Sequence, residues 1–185
     1  MAIDRYADLR DRLTAYLLAH GFADLTVEDL ARELRCSKST LYQLAPSKSE
    51  LVVLAVRHYF KQATAEVEAK VDRAPVGDRV GTYLDAVAKA LSPVSTRFLD
   101  DVAAFAPARE VYERNTNRAA ERVRGLISEG VRHGAFRKVH AHFVADVATQ
   151  TMLDIQRGGI TGRIGISDSR AYAELRALVD HTLRG

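Results

Sequence analysis

Residues 26–51 read TVEDLARELRCSKSTLYQLAPSKSEL, and this stretch leaves few folds open. Thr26 offers the hydroxyl of a helix N-cap. Glu28 and Asp29 come next in the first turn, where the helix dipole favours negative charge. Val27, Leu30, Ala31 and Leu34 recur at helical spacing and form one apolar face. Arg35-Cys36-Ser37 breaks that pattern. The sequence predicts a second short helix from Lys38 to about Leu44, stopped by Pro46, whose ring and missing N–H end helices. Two helices this short are marginal alone, so they require a larger helical body beneath them. As a helix-turn-helix on such a body, the pair can place its second helix in the DNA major groove.

The second helix is composed for that use. Ser37, Lys38, Ser39, Thr40, Tyr42 and Gln43 crowd hydroxyls, an amide and one cation together, leaving Leu41 and Leu44 to face inward. Ser and Thr are weaker helix formers than the Glu, Lys and Ala of an ordinary surface helix. Short hydroxyls beside free backbone N–H groups suit phosphate oxygens. Lys48, just past Pro46, is placed to reach another phosphate. A polar helical hairpin on a protein surface is the competing reading of the same residues.

From Tyr6 to Leu54 the chain resembles the N-terminal DNA-binding domain of the TetR family of transcriptional regulators. The resemblance rests on a first amphipathic helix ending in His20-Gly21-Phe22, then Thr26-Val27, Leu30-Ala31, Ser37-Lys38-Ser39-Thr40-Leu41-Tyr42, Ser47-Lys48 and Glu50-Leu51. It implies a DNA-binding homodimer whose C-terminal helices bind a small effector. It also implies that Thr26, Thr40, Tyr42 and Lys48 touch phosphates, with Lys38, Ser39 and Gln43 near bases or backbone. Arg35 and Ser37 complete the candidate DNA-binding set. Three positions depart from the family pattern. Arg35 stands where glycine is usual, so the turn lacks easy positive-φ geometry. Gln43-Leu44 replaces an aromatic pair, and Ala45 replaces an anchoring phenylalanine.

Bulk charge does not carry the DNA reading. The net charge is +3, and residues 1–60 hold eight Lys/Arg against eight Asp/Glu. Local placement does: Arg32, Arg35, Lys38 and Lys48 face only Glu33 within residues 32–48, a basic strip that suits a phosphate backbone. Cys36 is the only cysteine, which excludes an intramolecular disulfide and a thiolate metal cluster. It reads as a small buried apolar residue in the turn; a redox switch there requires an exposed thiol. No leader-like or membrane-length apolar run is present, and a cytoplasmic location is expected.

With 47% hydrophobic residues and 4 prolines in 185 residues, apolar positions recurring at helical spacing predict an all-α fold of about nine helices. The expected organisation is a three-helix DNA-binding head over 1–50 and a helical effector-binding and dimerisation domain over 51–185. Helix one spans about 4–19 and helix four about 47–71. Further helices are expected near 78–91, 94–105, 107–132, 139–157 and 168–184. The glycine-rich run 158–165 is read as a flexible connector, since it lacks the ending of a phosphate-binding loop and comes after a helix.

A TetR-like body holds its effector among helices four to eight, where Tyr83, Phe98, Asp101, Phe105, Tyr112, Thr116, Gln150, Met152 and Asp154 mix aromatic and polar character. Such a set could line a largely apolar pocket with a few polar fixed points, for a small, partly hydrophobic effector. Arg114, Arg118 and Arg122 lie along one helix face and read as a solvated face partly paired with Glu110, Glu113 and Glu121. His133, His140 and His142 lack a metal-ligand arrangement. No catalytic constellation is present, so no enzyme activity, metal or cofactor is expected. Phe143, Val147, Thr151, Ile155, Leu175, Leu178 and Val179 form apolar stripes of the last two long helices, suited to pairing with a second copy. The expected function is a one-component repressor that binds a palindromic operator as a homodimer and is released by a small molecule. Two alternatives remain open: an all-α ligand-binding protein or enzyme with an incidental helix-turn-helix pattern, and an effector-independent DNA-binding regulator.

Overall fold

The structure, a computed structural model, describes the backbone of residues 2–185 and side chains from Arg5 onward. Ten α-helices appear among the described residues, with no strand. They are α1 (Ala2–His20), α2 (Val27–Glu33), α3 (Lys38–Tyr42), α4 (Lys48–Val71), α5 (Arg79–Leu91), α6 (Thr96–Ala104), α7 (Ala106–Arg132), α8 (Ala141–Gln156), α9 (Gly159–Ile164) and α10 (Asp168–Arg184). The all-α expectation holds. Helix ends obey local chemistry. Ser37, Ser95 and Ser167 cap α3, α6 and α10 through their hydroxyls. Gly21, at φ 75°, closes α1 in the left-handed conformation glycine tolerates. Helix α3 ends earlier than the sequence predicts, because Pro46 disfavours helical geometry at Ala45 and leaves the last turn irregular.

The chain divides into two compact units. Unit 1 comprises Met1–Gln62 with Pro93–Glu113, and unit 2 comprises Ala63–Ser92 with Arg114–Gly185. Unit 1 contains the helix-turn-helix. It buries Leu13, Leu17, Leu30, Leu41, Leu51, Val52 and Val56 almost completely, each contributing about 1.5–3 kcal/mol through removal from water. Phe22 meets Phe98 and Phe105 edge-on, each at 6.0 Å. The segment bearing α6 fastens onto the end of α1 and the turn after it. Ser95 N–H donates to the Leu18 carbonyl at 2.9 Å. Asp101 Oδ2 accepts from the backbone N–H groups of Phe22 and Ala23, at 2.5 and 2.9 Å. Arg97 pairs with Asp24 at 2.5 Å. A Cβ at Gly21 would collide with the Asp101 carboxylate, so glycine serves here both for its φ and for this close approach.

In unit 2, α10 packs on α5 and α8, and α9 packs on α8. The core includes Val71, Val80, Leu126, Ile127, Ile155 and Leu183. Ion pairs tie its helices together, among them Arg79 with Glu129 at 2.7 Å, and Arg122 with both carboxylate oxygens of Glu68 at 2.7–3.0 Å. Arg122 therefore departs from the solvated face expected for it; its fork geometry selects a carboxylate on α4. Residues 158–165 also differ from expectation. They form α9, where Gly158 and Gly165 hold the left-handed conformation at both ends. Arg163 pairs with Asp154 at 2.8 Å, Thr161 is buried, and Ile160 packs against the core. The glycines punctuate a helix that packing completes.

Candidate nucleic-acid interface

Helix α2 begins at a full capping box. Thr26 Oγ1 accepts from Asp29 N–H at 3.1 Å, and the Asp29 carboxylate accepts from Thr26 N–H at 2.9 Å. The Thr26 hydroxyl also donates to Asp29 at 2.6 Å, and Arg32 approaches the same carboxylate at 2.6 Å. Hydrogen bonds from the Thr26 side chain and backbone, reinforced by Arg32, hold the Asp29 carboxyl at about 2, below its ordinary 3.8. Because the folded value is depressed, this contribution is fully present above the unfolded pKa and is lost as pH falls through about 2. We expect the Asp29 carboxyl carbon to titrate by NMR with a midpoint about 2, and Thr26→Val to return it toward the ordinary range. An unshifted midpoint in the unsubstituted protein would remove the capping box from solution.

The turn then takes an unusual course. Arg35 adopts φ 50°, the left-handed region where a side chain is costly. Glycine would be easier there, yet the chain keeps positive φ and places an exposed guanidinium at the bend. Bonds on either side fix it: Cys36 N–H donates to Ala31 O at 2.9 Å, and the Arg12 guanidinium donates to Leu34 O. Cys36 is half-buried, and burial pushes its thiol pKa up, which disfavours the reactive thiolate.

Ser37 caps α3 by accepting from Thr40 N–H at 3.1 Å. Its hydroxyl also meets those of Ser39 and Thr40, at 2.7 and 2.8 Å. Leu41 is fully buried and anchors α3, whereas Tyr42 is 45% exposed. Tyr6 OH donates to Gln43 Oε1 at 2.5 Å. Lys38 Nζ is bonded to Glu28 on α2. Lys48 Nζ donates to Ala23 O at 2.9 Å. The expected set of Thr26, Arg35, Ser37, Lys38, Ser39, Thr40, Tyr42, Gln43 and Lys48 thus lies in unit 1, and each member is exposed or half-buried. Two side chains outside the expected set join this polar edge: Glu28, in the first turn of α2, and Tyr6, which is 43% exposed. Ala45 is buried, and Leu44 faces a recess of about 520 Å³ lined also by Tyr6, Ala7, Arg10, Gln43 and Leu54.

This geometry coincides with the comparisons. Residues 14–55 match the family model of bacterial regulatory proteins, tetR family. The match covers the helix-turn-helix segment of the chain and identifies it with that family's DNA-binding domain. The fold is similar to that of solved transcriptional regulators. A putative transcriptional regulator from Saccharomonospora viridis, in complex with choline, superposes with a TM-score of 0.81 at 18% identity, covering 97% of each chain. A TetR transcription regulator from Haloarcula marismortui gives 0.80 at 17% identity, covering 96% of this chain and 100% of that one. The ketosteroid transcriptional regulator KstR2 of Mycobacterium tuberculosis gives 0.64 at 18% identity, covering 98% and 95%. No curated protein matches by sequence.

The TetR-like effector candidates fall into both units. Phe98, Asp101, Phe105 and Tyr112 belong to unit 1. There Phe98 and Phe105 pack on Phe22, Tyr112 packs on Phe60 at 5.8 Å, and Asp101 accepts two backbone bonds from the Phe22–Ala23 turn. Tyr83, Thr116, Gln150, Met152 and Asp154 belong to unit 2. Tyr83 and Met152 are buried, Thr116 is half-buried, Gln150 is exposed, and Asp154 is bonded to Arg163. Burial, with Glu68 nearby, pushes the Tyr83 hydroxyl pKa to about 12, so it stays a neutral donor. Among the described residues no three His, Cys, Asp or Glu side chains converge as a metal site. His140 instead caps α8, its Nδ1 accepting from Phe143 N–H at 3.2 Å. No helix among the described residues is long and apolar enough to cross a membrane.

Proposed function

We propose that this chain is a TetR-family regulator, a one-component transcriptional repressor that binds a palindromic operator as a homodimer in the cytoplasm and is released by a small, partly hydrophobic effector. The observation that carries the reading is the polar edge of unit 1. Around the exposed Tyr42, three hydroxyls, the amide of Gln43 and the cations of Lys38 and Lys48 are held by bonds that DNA can replace. Phosphates and base edges offer the same donors and acceptors. Fluorescence anisotropy tests it, with the DNA flanking the gene against a scrambled duplex across a salt series. Sequence-dependent binding that weakens steeply with salt is the expected result. Equal, weak binding to both duplexes would count against it.

The dimer reading is supported by α8 and α10, which leave Phe143, Val147 and Leu178 exposed at 67%, 39% and 60%. Phe143, Val147 and Thr151 recur every four residues along one stripe of α8. Ile155, Leu175 and Val179 are buried in unit 2 itself, so they support this face from beneath. A second copy is the natural cover for such a surface. We expect Val147→Glu with Leu178→Glu to yield a folded monomer in analytical ultracentrifugation. A double variant that remains dimeric would place the interface elsewhere.

An effector is supported by relatives of the same fold, one of them solved with choline and one called a ketosteroid regulator. Candidate contacts in unit 2 are Tyr83, Thr116 and Met152. The Asp101 carboxylate, satisfied by two backbone donors, is proposed to hold α6 against the head. The test is release of bound operator on adding choline, a ketosteroid or a fatty acid. No release by a wider ligand library would favour the effector-independent regulator.

A further inference from the structure

We propose that Glu28 is a specificity-determining residue of the DNA interface, holding Lys38 in reserve so that it is spent only where a G·C pair can satisfy both side chains. The inference rests on the DNA-binding function proposed for unit 1.

Acidic residues are unexpected on a surface that meets a polyanion, and α2 carries three. Two of them are occupied within their own neighbourhood. Asp29 is bound by Thr26 and Arg32, and Glu33 lies 3.7 Å from Arg32 Nε. Glu28 differs, because its carboxylate crosses the turn to Lys38 at the first position of α3. An acid in the first turn of α2 suits that helix, whereas a cation at the start of α3 opposes its dipole. Lys38 therefore gains nothing from its own helix and is balanced by Glu28. Its ammonium pKa is raised and the Glu28 carboxyl pKa lowered, chiefly by the hydrogen bond between them.

Both side chains are more than half exposed. An ion pair in water contributes little to stability and is screened by salt, so DNA can break it. The base sequence decides whether breaking it is favourable. Against an arbitrary sequence, Lys38 gains one phosphate while Glu28 is left unpaired beside the polyanion, and the two effects oppose each other. Against a G·C pair in the major groove, guanine O6 and N7 accept from an ammonium, and the cytosine N4 amine donates to a carboxylate. The pair is complementary to that edge. Glu28 thus makes the cation of Lys38 conditional on sequence.

The test is a double-mutant cycle on DNA affinity, using the full chain with Glu28→Gln, Lys38→Met and both. Each variant is measured on a random-sequence duplex and on an operator selected from a random pool. Both positions are surface residues, and circular dichroism verifies folding. Glu28→Gln is expected to bind the random duplex about tenfold tighter at low salt, with a salt slope steeper by about one. Operator affinity is expected to change by less than about threefold, so discrimination falls. In the Lys38→Met background, the tightening on random duplex is expected to shrink to about twofold. Equal tightening on both duplexes, or undiminished tightening without Lys38, would show that Glu28 acts only as a diffuse charge and overturn the inference. Absence of duplex binding by every variant at low salt would instead overturn the DNA-binding function on which it depends.

Discussion

Replacing Tyr42 and Lys48 together with alanine is expected to weaken operator binding on the order of a thousandfold while leaving the fold intact, since charge-assisted contacts and stacking add across two half-sites. Neither side chain is needed to hold α3 in place. Leu41 does that from a fully buried position, and Ser37 caps the helix independently. Tyr42 projects at the end of α3, nearly half exposed, so truncating it removes a contact surface without opening a cavity. Lys48 loses one bond to the Ala23 carbonyl, which water can replace. Two readouts separate the roles. The Lys48 substitution alone should lower the salt slope by about one per protomer, whereas the Tyr42 substitution should leave it nearly unchanged. Unaltered affinity of the double variant would mean that α3 does not dock on DNA as proposed.

The second large effect lies in unit 2. Gly130→Ala is expected to destabilise that unit by about 1–3 kcal/mol, seen as a lower midpoint in urea unfolding. Alanine in a helix ordinarily gains up to about 1 kcal/mol over glycine. Here the sign reverses, because a Cβ at Gly130 would occupy the same space as the Phe136 ring. Phe136 is buried and belongs to the core of unit 2. The chain reverses sharply between them: Ala135 N–H and Phe136 N–H both return to Gly130 O, at 2.9 and 3.2 Å, through Gly134 at φ 69°. The ring lies across its own preceding helix, buried at 5% exposure. Phe136→Leu in the Gly130→Ala background should recover part of the loss. If Gly130→Ala alone proves neutral or stabilising, the ring does not sit on the glycine in solution.

The helix-turn-helix was legible in the sequence because its determinants are local. Thr26, the Leu30–Leu34 stripe and Pro46 each act within a few residues of themselves, and helix ends came out within a few residues of expectation. The features that were not legible have long-range causes. Residues 158–165 read as a loop because glycine weakens isolated helices, yet the Arg163–Asp154 pair and the burial of Thr161 depend on α8 being in place. Nothing near Asp101 in sequence announces the two backbone donors on the distant Phe22–Ala23 turn. Glu28 and Lys38 are ten residues apart, and only the turn geometry at Arg35 brings them together. The stripes of α8 and α10 were visible as apolar, but periodicity alone does not say which members face inward and which remain bare.

The latch between Asp101 and the Phe22–Ala23 turn bears on how such a protein can be cut and rebuilt. A chimera that transplants the first 62 residues onto a foreign body would carry two backbone donors whose acceptor stayed behind, along with Phe22 stripped of both aromatic partners. The transplantable module is discontinuous: it must bring residues 93–113 with it, or bring a substitute carboxylate presented from the new host at the same place.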